Sequence, residues 1–289
     1  MMISIVIVHY KTLDKTRMTL ASLYKSVLDE SFEVILVDNA SDDGSVEVIE
    51  KEYPNLTIIR NANNDGFAVA NNLGIIRAKG DMILLLNSDV ELSKSALMKS
   101  ITYLRHHPEI GALGIKLVLP TGNLDHTCKR GFPTPMSSLY YFMRLHHKYP
   151  NSKKFGHYAM TYIHEDETAF VDAIVGAFML MPKSVVEEVG PLDEAFFMYG
   201  EDLDYCYRIV QKGYKIVYYP EARGVHHKGA SSSNLSYKLN YEFYRAMWVF
   251  YWKHYKKAYM IMTHIGVFIS IAMMFIIKKI RIMVRRLTS

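Results

Sequence analysis

The sequence predicts an α/β fold in which helices flank a mostly parallel β-sheet. Short runs such as ISIVIV (3–8), EVILVD (33–38) and DMILLL (81–86) are apolar at almost every position, which is typical of strands buried on both faces. Stretches of helical period separate these runs, and strands that alternate with helices require crossovers between parallel neighbours. With 289 residues, of which 50% are hydrophobic, the chain can bury a full core.

The elements follow in order along the chain. The periodicity predicts strands at 3–8, 33–38, 56–60 and 82–86, with helices around 15–28, 45–53 and 67–78. From 115 to 172 the pattern weakens to a strand, a turn and an irregular segment rich in aromatics, His and Lys, as in functional or mobile loops. Order returns where VDAIVGAFMLMPKSVVEEVG (171–190) predicts a buried strand and a helix begun by Pro182, and a further helix is expected at 201–212.

The basic charge of the chain lies in its C-terminal tail. Residues 243–289 hold nine Lys and Arg and no Asp or Glu, whereas residues 1–242 carry a net charge of −4. A nucleic-acid-binding protein would spread its basic residues over the folded domain, so this distribution excludes that class of partner and favours an anionic membrane surface. We therefore divide the chain into a folded domain, 1–235, and a membrane-associating helical region, 236–289.

The tail could meet a membrane in more than one way. Residues 258–277 form an apolar stretch just long enough to span a bilayer. Basic clusters on both flanks fit a single span poorly, and a thin polar stripe recurs near helical spacing, at Thr263, Ser270, Lys278, Arg281 and Arg285. Interfacial or re-entrant docking is the favoured interpretation, while a true span and a soluble packing helix stay open.

Polar residues gather where the first four predicted strands end. They are His9-Tyr10, Asp38-Asn39, the segment 61–66, and Asn87-Ser88-Asp89. In open parallel sheets the ligand crevice lies outside the carboxyl ends of the strands. One Asp after a strand is commonly only a helix cap or a turn residue, but four polar strand ends in succession predict a binding site.

The predicted sheet lacks a phosphate-binding glycine loop. No G-x-G-x-x-G follows the first strand and no G-x-x-x-x-G-K-[ST] occurs, so a bound nucleotide would need another neutraliser for its phosphates. A divalent cation held by Asp89 is the simplest one. Two cysteines, Cys128 and Cys206, cannot form a disulfide framework, which fits a reducing compartment, and the short apolar start is read as a strand and not a signal peptide.

Two later segments carry further candidate groups. Glu201, Asp202 and Asp204 begin a predicted helix, and three carboxylates exceed what capping needs, so one of them is a candidate general base. His226 and His227 lie between a predicted strand and a Gly/Ser-rich loop. One of these imidazoles could serve as a second metal ligand, and two solvated loop histidines is the alternative.

Seven motifs in order resemble those of family 2 glycosyltransferases with the GT-A fold, whose sheet is Rossmann-like. They are ISIVIVHYK, VILVDNASDDGS, NANNDGFAVANNLGI, GDMILLLNSD, VGAFMLM, YGEDLDYCYRI and VHHKGASS. Within the family the chain is most similar to the bacterial rhamnosyltransferase-like branch, which acts on cell-surface polysaccharide. The resemblance covers residues 3 to about 233 and does not reach the tail.

The resemblance implies a donor site at the strand ends. Asp38 would contact the nucleoside, and Asp65 and Gly66 would line the same pocket. Ser88 and Asp89 belong to the segment Asn-Ser-Asp that matches the D-x-D-type motif of the family, so they would lie at the nucleotide sugar, with Asp89 as a ligand of Mg²⁺ or Mn²⁺.

The resemblance also implies a base and a second ligand. Asp202 would be the catalytic base, and His226 would reach the metal or the donor pyrophosphate, with His227 the less favoured histidine. The first strand departs from the family, since His9-Tyr10-Lys11 stands where Asn-Tyr-Asn or a similar triplet is usual. Lys11 could contact donor phosphate or point outward.

These residues together predict an inverting, metal-dependent hexosyltransferase. It would move a sugar, rhamnose by analogy, from a dTDP- or UDP-sugar to a lipid-linked or polysaccharide acceptor at the cytoplasmic face of the cell membrane. The tail would make it peripheral or monotopic, or would give it one transmembrane helix, and homo-oligomerisation stays open. The alternatives are an inactive, membrane-docked nucleotide-sugar or glycan binding protein and a nicotinamide oxidoreductase, which the missing glycine fingerprint disfavours.

Overall fold

Four parallel strands form the first half of the sheet. They are β1 (Met2–His9), β2 (Ser31–Asp38), β3 (Thr57–Arg60) and β4 (Met82–Asn87), in the order β3-β2-β1-β4. Helices α1 (Leu13–Tyr24), α2 (Ser45–Glu52) and α3 (Phe67–Arg77) lie between them in the chain. Every residue of β1 from Ile3 to Ile7 is fully buried, because helices cover both faces of this part of the sheet.

The computed structural model describes residues 2–26, 31–228 and 237–288. The Gly/Ser-rich loop that the sequence places after His227 begins at residue 229 and lies outside these ranges, as do the side chains of Arg285 and Arg286.

The second half of the sheet is mixed in direction. It contains β5 (Val90–Leu92), β6 (Ile110–Val118), β7 (Ala169–Val171), β8 (Phe178–Pro182) and β9 (Lys215–His226), and the order continues from β4 as β8-β6-β9-β5, with β7 also on β9. Strand β8 is antiparallel to β4 and β6, whereas β6 and β9 are parallel. The α/β fold is confirmed, and the parallel arrangement holds for the first four strands.

The segment from 118 to 172 is more ordered than its sequence period suggests. A short 3₁₀ helix (His126–Cys128) is followed by α5 (Pro135–Phe142) and α6 (Leu145–Lys148). Helix α5 has a proline in its first turn, and the hydroxyl of Thr134 accepts the backbone N–H of Ser137 at 3.1 Å, so its start is well capped.

Helices α4 (Ala96–Arg105), α7 (Lys183–Val189) and α8 (Glu201–Gln211) complete the domain, and two longer helices follow. Helix α9 (Tyr237–Tyr255) buries Phe250, Tyr251 and Tyr255. Helix α10 (Ile261–Thr288) runs back along α9, because Tyr237 packs on Phe275 near one end of the pair and Tyr251 bonds His264 at 2.7 Å near the other.

Candidate active site

Asparagine side chains join the loops that follow β2 and β3. Asn39 Nδ2 donates to the carbonyl of Gly66 at 3.3 Å, and Asn61 Nδ2 donates to Asn39 Oδ1 at 3.0 Å. The Asp38 carboxylate, at the end of β2, is buried and accepts the backbone N–H of Ser41 at 3.1 Å. The structure therefore brings Asp38 and Gly66, two of the predicted donor-site residues, into one region.

Gly66 is required by the packing of α3. Its φ is +95°, and a Cβ at this position would lie 2.3 Å from the carbonyl oxygen of Phe197. The same carbonyl accepts the backbone N–H of Phe67 at 2.7 Å, so the start of α3 contacts the segment that leads into α8. Asp65 is exposed at this edge, and its contact with a nucleoside stays a prediction.

The unusual end of β1 does not place a lysine over the sheet. His9 is buried, with Nδ1 bonded to the Thr16 hydroxyl at 2.8 Å and Nε2 to the Ser45 hydroxyl at 2.7 Å, and burial lowers its pKa. Lys11 has a positive φ and its ammonium pairs with Asp42 at the surface. Thus His9 ties β1 to α1 and α2, and Lys11 points outward.

The two predicted metal ligands are brought together. Asp89 lies between β4 and β5, and antiparallel pairing of β5 with β9 sets Val90 opposite His226. Asp89 Oδ1 is 3.2 Å from His226 Nε2, and their side chains are 13% and 5% exposed. Ser88 is buried next to them, with its hydroxyl 3.4 Å from that of Thr12.

A third carboxylate, Asp125, holds the other ring nitrogen of His226. Asp125 Oδ2 is 2.8 Å from His226 Nδ1, and Asp125 Oδ1 accepts from the ammonium of Lys228 at 2.6 Å. Burial opposes the charge on both partners, but these hydrogen bonds outweigh it, so the pKa of Asp125 is lowered and that of His226 is raised. Sequence reasoning missed Asp125, because 101 positions separate it from His226.

The predicted base, Asp202, is held by three donors. Arg130 Nη2 donates to Oδ2 at 2.6 Å, the backbone N–H of Gly176 donates to the same oxygen at 3.2 Å, and the N–H of Leu203 donates to Oδ1 at 2.7 Å. Burial opposes the charge of Arg130, but the Asp202 carboxylate outweighs it and raises the pKa of the guanidinium. Arg130 was also missed by sequence reasoning.

The predicted base and the Asn-Ser-Asp motif lie on two sides of one short segment. Gly176 donates to Asp202, and the carbonyl of the next residue, Ala177, accepts the backbone N–H of Asn87 at 3.0 Å. Asn87 is the first residue of the Asn-Ser-Asp motif. The chain therefore places the start of α8 beside the strand end that carries Asp89.

The two other carboxylates of α8 differ in their partners. Burial, together with the neighbouring Asp202 charge, raises the pKa of Glu201 to about 8, and its Oε2 has no hydrogen-bond partner in the described part of the chain. Asp204 is fully buried and bonds three groups: Arg208 Nε at 2.9 Å, Lys253 Nζ at 2.7 Å and His254 Nε2 at 2.7 Å. Asp204 thus joins α8 to α9, which the sequence did not indicate.

Comparison with known families decides the class of the protein. The family model described as Glycosyl transferase family 2 matches residues 4–166. The chain belongs to glycosyl transferase family 2. It is therefore a glycosyltransferase, and the enzyme class predicted from the sequence motifs is confirmed.

This chain is similar to two proteins that are named as rhamnosyltransferases. It is 27% identical over 210 residues to the N-acetylglucosaminyl-diphospho-decaprenol L-rhamnosyltransferase of Mycobacterium tuberculosis, covering 69% of this chain and 67% of that protein. It is 27% identical over 233 residues to the rhamnosyltransferase WbbL of Escherichia coli, covering 78% and 83%. The similarity to the rhamnosyltransferase-like branch is confirmed.

Other relatives are longer than this chain. The match to the O-antigen biosynthesis protein RfbC of Myxococcus xanthus is 27% identical and covers 84% of this chain but 19% of that protein. The match to the uncharacterized protein y4gI of Sinorhizobium fredii covers 25% of that protein. The chain thus spans a quarter or less of these two relatives.

Solved structures confirm the GT-A fold. TarS of S. aureus matches with a TM-score of 0.59 at 18% identity, covering 86% of the transferase and 39% of TarS. The mannosyltransferase PcManGT from Pyrobaculum calidifontis, solved with GDP-Man and Mn²⁺, matches with a TM-score of 0.60 at 16% identity, covering 87% and 63%.

The side chains of Asp89 and His226 fit a hard divalent cation. Asp89 would supply a carboxylate oxygen. The carboxylate of Asp125 bonds His226 Nδ1, which leaves Nε2 directed at Asp89. Within the described ranges no three His, Cys, Asp or Glu side chains form a complete metal site. Two protein ligands suit a cation that also binds the phosphates of a substrate.

Proposed function

We propose that this transferase moves a sugar, with inversion at the anomeric carbon, from a nucleotide-diphosphate donor to a hydroxyl of a lipid-linked or polysaccharide acceptor. The observation that carries the proposal is the pairing of two assemblies across residues 176 and 177. One is Asp89 with His226, and the other is Asp202 with Arg130. Asp89 with His226 is suited to bind the diphosphate leaving group, and Asp202 with Arg130 is suited to activate the attacking hydroxyl.

The donor half of the site would bind the nucleotide diphosphate. Asp38, Asp65 and Gly66 would line the nucleoside pocket, and Ser88 and Asp89 would lie at the diphosphate and the sugar. Asp89 and His226 would hold Mg²⁺ or Mn²⁺, which when bound supplies positive charge for the phosphate oxygens of the leaving group. The buried position of both side chains strengthens this interaction, because little water remains to screen it.

The acceptor half would activate the attacking hydroxyl. Asp202 would accept the hydroxyl proton as the acceptor oxygen forms its bond to C1 of the sugar, and the bond from C1 to the diphosphate oxygen would break on the opposite face. Attack opposite the leaving group inverts the anomeric centre. Arg130 and the N–H groups of Gly176 and Leu203 fix the carboxylate in one orientation, which is what a positioned base requires.

The relatives narrow the substrates. Two of them are named as rhamnosyltransferases, and one of these names carries a decaprenol-linked acceptor. We therefore assign a dTDP- or UDP-sugar, with rhamnose as the first candidate, and an acceptor built on a lipid diphosphate.

The tail supports a position at the cytoplasmic face of the membrane. Residues Ile261–Ile282 are long and apolar enough to cross a membrane, and none of that stretch is buried in the protein. Helix α10 nevertheless lies along α9, which is itself held to the domain by Asp204. A helix that runs along the folded domain fits a position in the plane of the interface better than a span.

The experiment is nucleotide release from a panel of UDP-, dTDP- and GDP-sugars with a lipid-linked oligosaccharide extract. We expect release from one donor in Mg²⁺ or Mn²⁺ and none in excess EDTA.

Asp202→Asn should lower turnover by about 10²–10⁴-fold with donor affinity unchanged, since it removes the base but keeps the shape of the side chain. Full activity in EDTA would refute the metal, near-normal turnover of Asp202→Asn would refute the base, and donor binding without release by any extract would favour a binding protein.

A further inference from the structure

Helix α5 carries an exposed apolar face. Met136, Leu139, Phe142 and Met143 are each between 48% and 60% exposed. Met136, Leu139 and Met143 follow one another at helical spacing and therefore lie on one side of the helix. The opposite side is anchored to the domain, because the buried Ser137 hydroxyl donates to the carbonyl of Phe132 at 3.1 Å.

The chain segment that carries this face is basic. Residues 126–164 contain six Lys and Arg and no Asp or Glu. Lys129 and Arg130 are buried, whereas the remaining four cations, at positions 144, 148, 153 and 154, are exposed. Among the described residues none of these four forms an ion pair with a carboxylate; Lys148 and Lys154 lie over the neighbouring rings of Tyr149 and Phe155.

A series of aromatic contacts runs from the start of α5 to the turn between α9 and α10. Phe132, three residues before α5, packs on Tyr207 of α8 with 4.9 Å between ring centroids. Tyr207 packs on Tyr255, the last residue of α9, at 6.1 Å, and Tyr255 packs on Tyr259 at 6.1 Å, just before α10 begins. The start of α5 therefore adjoins the turn from α9 into α10.

We propose that α5 is a second membrane-binding surface, whose apolar face enters the interface of an anionic bilayer while its four exposed cations contact lipid headgroups. An apolar helix face bordered by unpaired cations is the combination that binds such an interface. A second copy of the chain fits less well, since a symmetric contact through this face would oppose the same four cations to each other. This surface, which rests on the proposed function, would extend the membrane association of α10 to the domain that carries Asp202.

Two contacts with the bilayer would fix the orientation of the active site. Arg130, which binds the Asp202 carboxylate, is five residues before α5 in the chain. Contacts at α5 and α10 would therefore hold the base near the headgroup level, where the sugar of a lipid-linked acceptor lies. One contact alone, along α10, would let the protein roll about the axis of that helix and carry the active site away from the membrane.

The test labels single cysteines in the full-length protein with an environment-sensitive fluorophore. The native Cys128 and Cys206 are buried, so Leu139→Cys on α5, Ile269→Cys on α10 and Ile76→Cys on α3 can be labelled selectively. Vesicles of phosphatidylcholine and phosphatidylglycerol carry a nitroxide quencher on the acyl chain and contain no acceptor. We expect roughly twofold or stronger quenching at positions 139 and 269, which would lie in the headgroup and acyl boundary, and none at position 76.

Each pattern of quenching has one interpretation. Quenching at 269 without quenching at 139 would refute the α5 surface and leave the role of the tail intact, whereas quenching at neither position would refute both. If the fluorophore at position 139 shows blue-shifted emission in the absence of vesicles and the protein is a dimer in solution, a second copy covers this face. Equal quenching at 139 in pure phosphatidylcholine would refute the role of the cations.

A matched pair of charge variants tests the cations directly. Arg144→Gln with Lys148→Gln should lower partitioning to the anionic vesicles by about fivefold for each charge removed. Lys51→Gln with Lys94→Gln, on surfaces away from α5, should leave partitioning within twofold of the unaltered protein by the same reasoning. Equal losses from both pairs would show a diffuse effect of net charge and would overturn the assignment to α5.

Discussion

At His226 the two ring nitrogens have different tasks. Nε2 faces Asp89, and Nδ1 faces the buried carboxylate of Asp125. A carboxylate on the far nitrogen of a metal-binding imidazole fixes the tautomer and the ring orientation. Lys228 and Thr127 in turn hold Asp125, so the imidazole of His226 is oriented by a network and not by one bond.

Asp125→Asn should therefore weaken metal binding without changing either proposed ligand. We expect the affinity for Mn²⁺, measured by calorimetry in the absence of donor, to fall by about 10–100-fold. Glu91→Gln is the matched control, because Glu91 pairs with the adjacent His227 at 3.4 Å on the same strand ladder but is exposed. An unchanged Mn²⁺ affinity in Asp125→Asn would show that His226 does not depend on this contact, or does not bind the metal.

The raised pKa of Glu201 predicts how the stability of the folded protein depends on pH. Its pKa is raised from 4.5 to about 8 by burial and by Asp202, so between these values the folded protein keeps a proton that the unfolded chain has released. The free energy of unfolding should therefore fall as pH rises through this window. Glu201→Gln removes the ionisable group and with it this dependence on pH. At the upper end of the window the Tm of the variant should therefore exceed that of the unaltered protein, by about 2–4 °C for each kcal/mol gained in the free energy of unfolding.

Thermal unfolding at pH 5 and pH 8 measures this difference. Other groups titrate in the same range, so the comparison is between the two proteins at each pH and not between pH values. If the two curves of Tm against pH run parallel, Glu201 is not protonated in the folded state.

At the scale of elements, periodicity predicted β1 to β4 and α1 to α3. Strands β1, β2 and β4 carry long runs of buried apolar residues, whereas β3, at the edge of the sheet, is apolar but only half-buried. The direction of β8 could not be predicted, since a buried apolar run reads the same either way along the sheet. Asp89, His226 and Asp202 were found from the motif resemblance, whereas Arg130 lies 72 positions from Asp202 and Asp125 lies 101 from His226. Contacts over such separations leave no local pattern.

The contact between α8 and α9 is an element-scale case of the same kind. Asp204 is fully buried between Arg208, Lys253 and His254. Burial alone would raise its pKa, but the hydrogen bonds from His254 and Lys253 lower it from 3.8 to about 2. The contribution of the Asp204 carboxylate to the free energy of unfolding is therefore complete above pH 3.8 and is lost as pH falls toward 2.

Asp204→Asn should separate α9 from α8. Removing one partner of a buried ion pair leaves the cations uncompensated, and we expect the free energy of unfolding to fall by about 3 kcal/mol in urea titrations. Asp193→Asn is the control, because Asp193 bonds the same Lys253 at 2.5 Å but at a more exposed position, where about 1 kcal/mol or less is expected. Equal losses in the two variants would mean that burial of Asp204 adds nothing.

At the scale of the whole molecule, α9 and α10 have separate roles although both follow residue 235. The division of the chain at 235 stays a prediction, but α9 buries Phe250, Tyr251 and Tyr255 and completes the environment of Asp204. Helix α10 contributes an exposed apolar face instead, with Ile265, Ile269, Met273, Ile276 and Ile280 each between 47% and 55% exposed. Such a surface is larger than a water-soluble helix normally presents.

Shortening the chain at two points distinguishes these roles. A chain that ends at Tyr259 keeps α9, so we expect it to unfold at nearly the same temperature as the full chain and to bind donor equally well. It should leave the membrane pellet in high salt, because only the α5 contact would remain and salt screens its cations. A chain that ends at Tyr241 also loses Phe250, Tyr255 and two of the three partners of Asp204, Lys253 and His254, so we expect it not to fold. If the chain ending at Tyr259 stays in the pellet in high salt, α10 is not the membrane anchor; if the chain ending at Tyr241 folds and binds donor, α9 belongs with the tail and not with the catalytic domain.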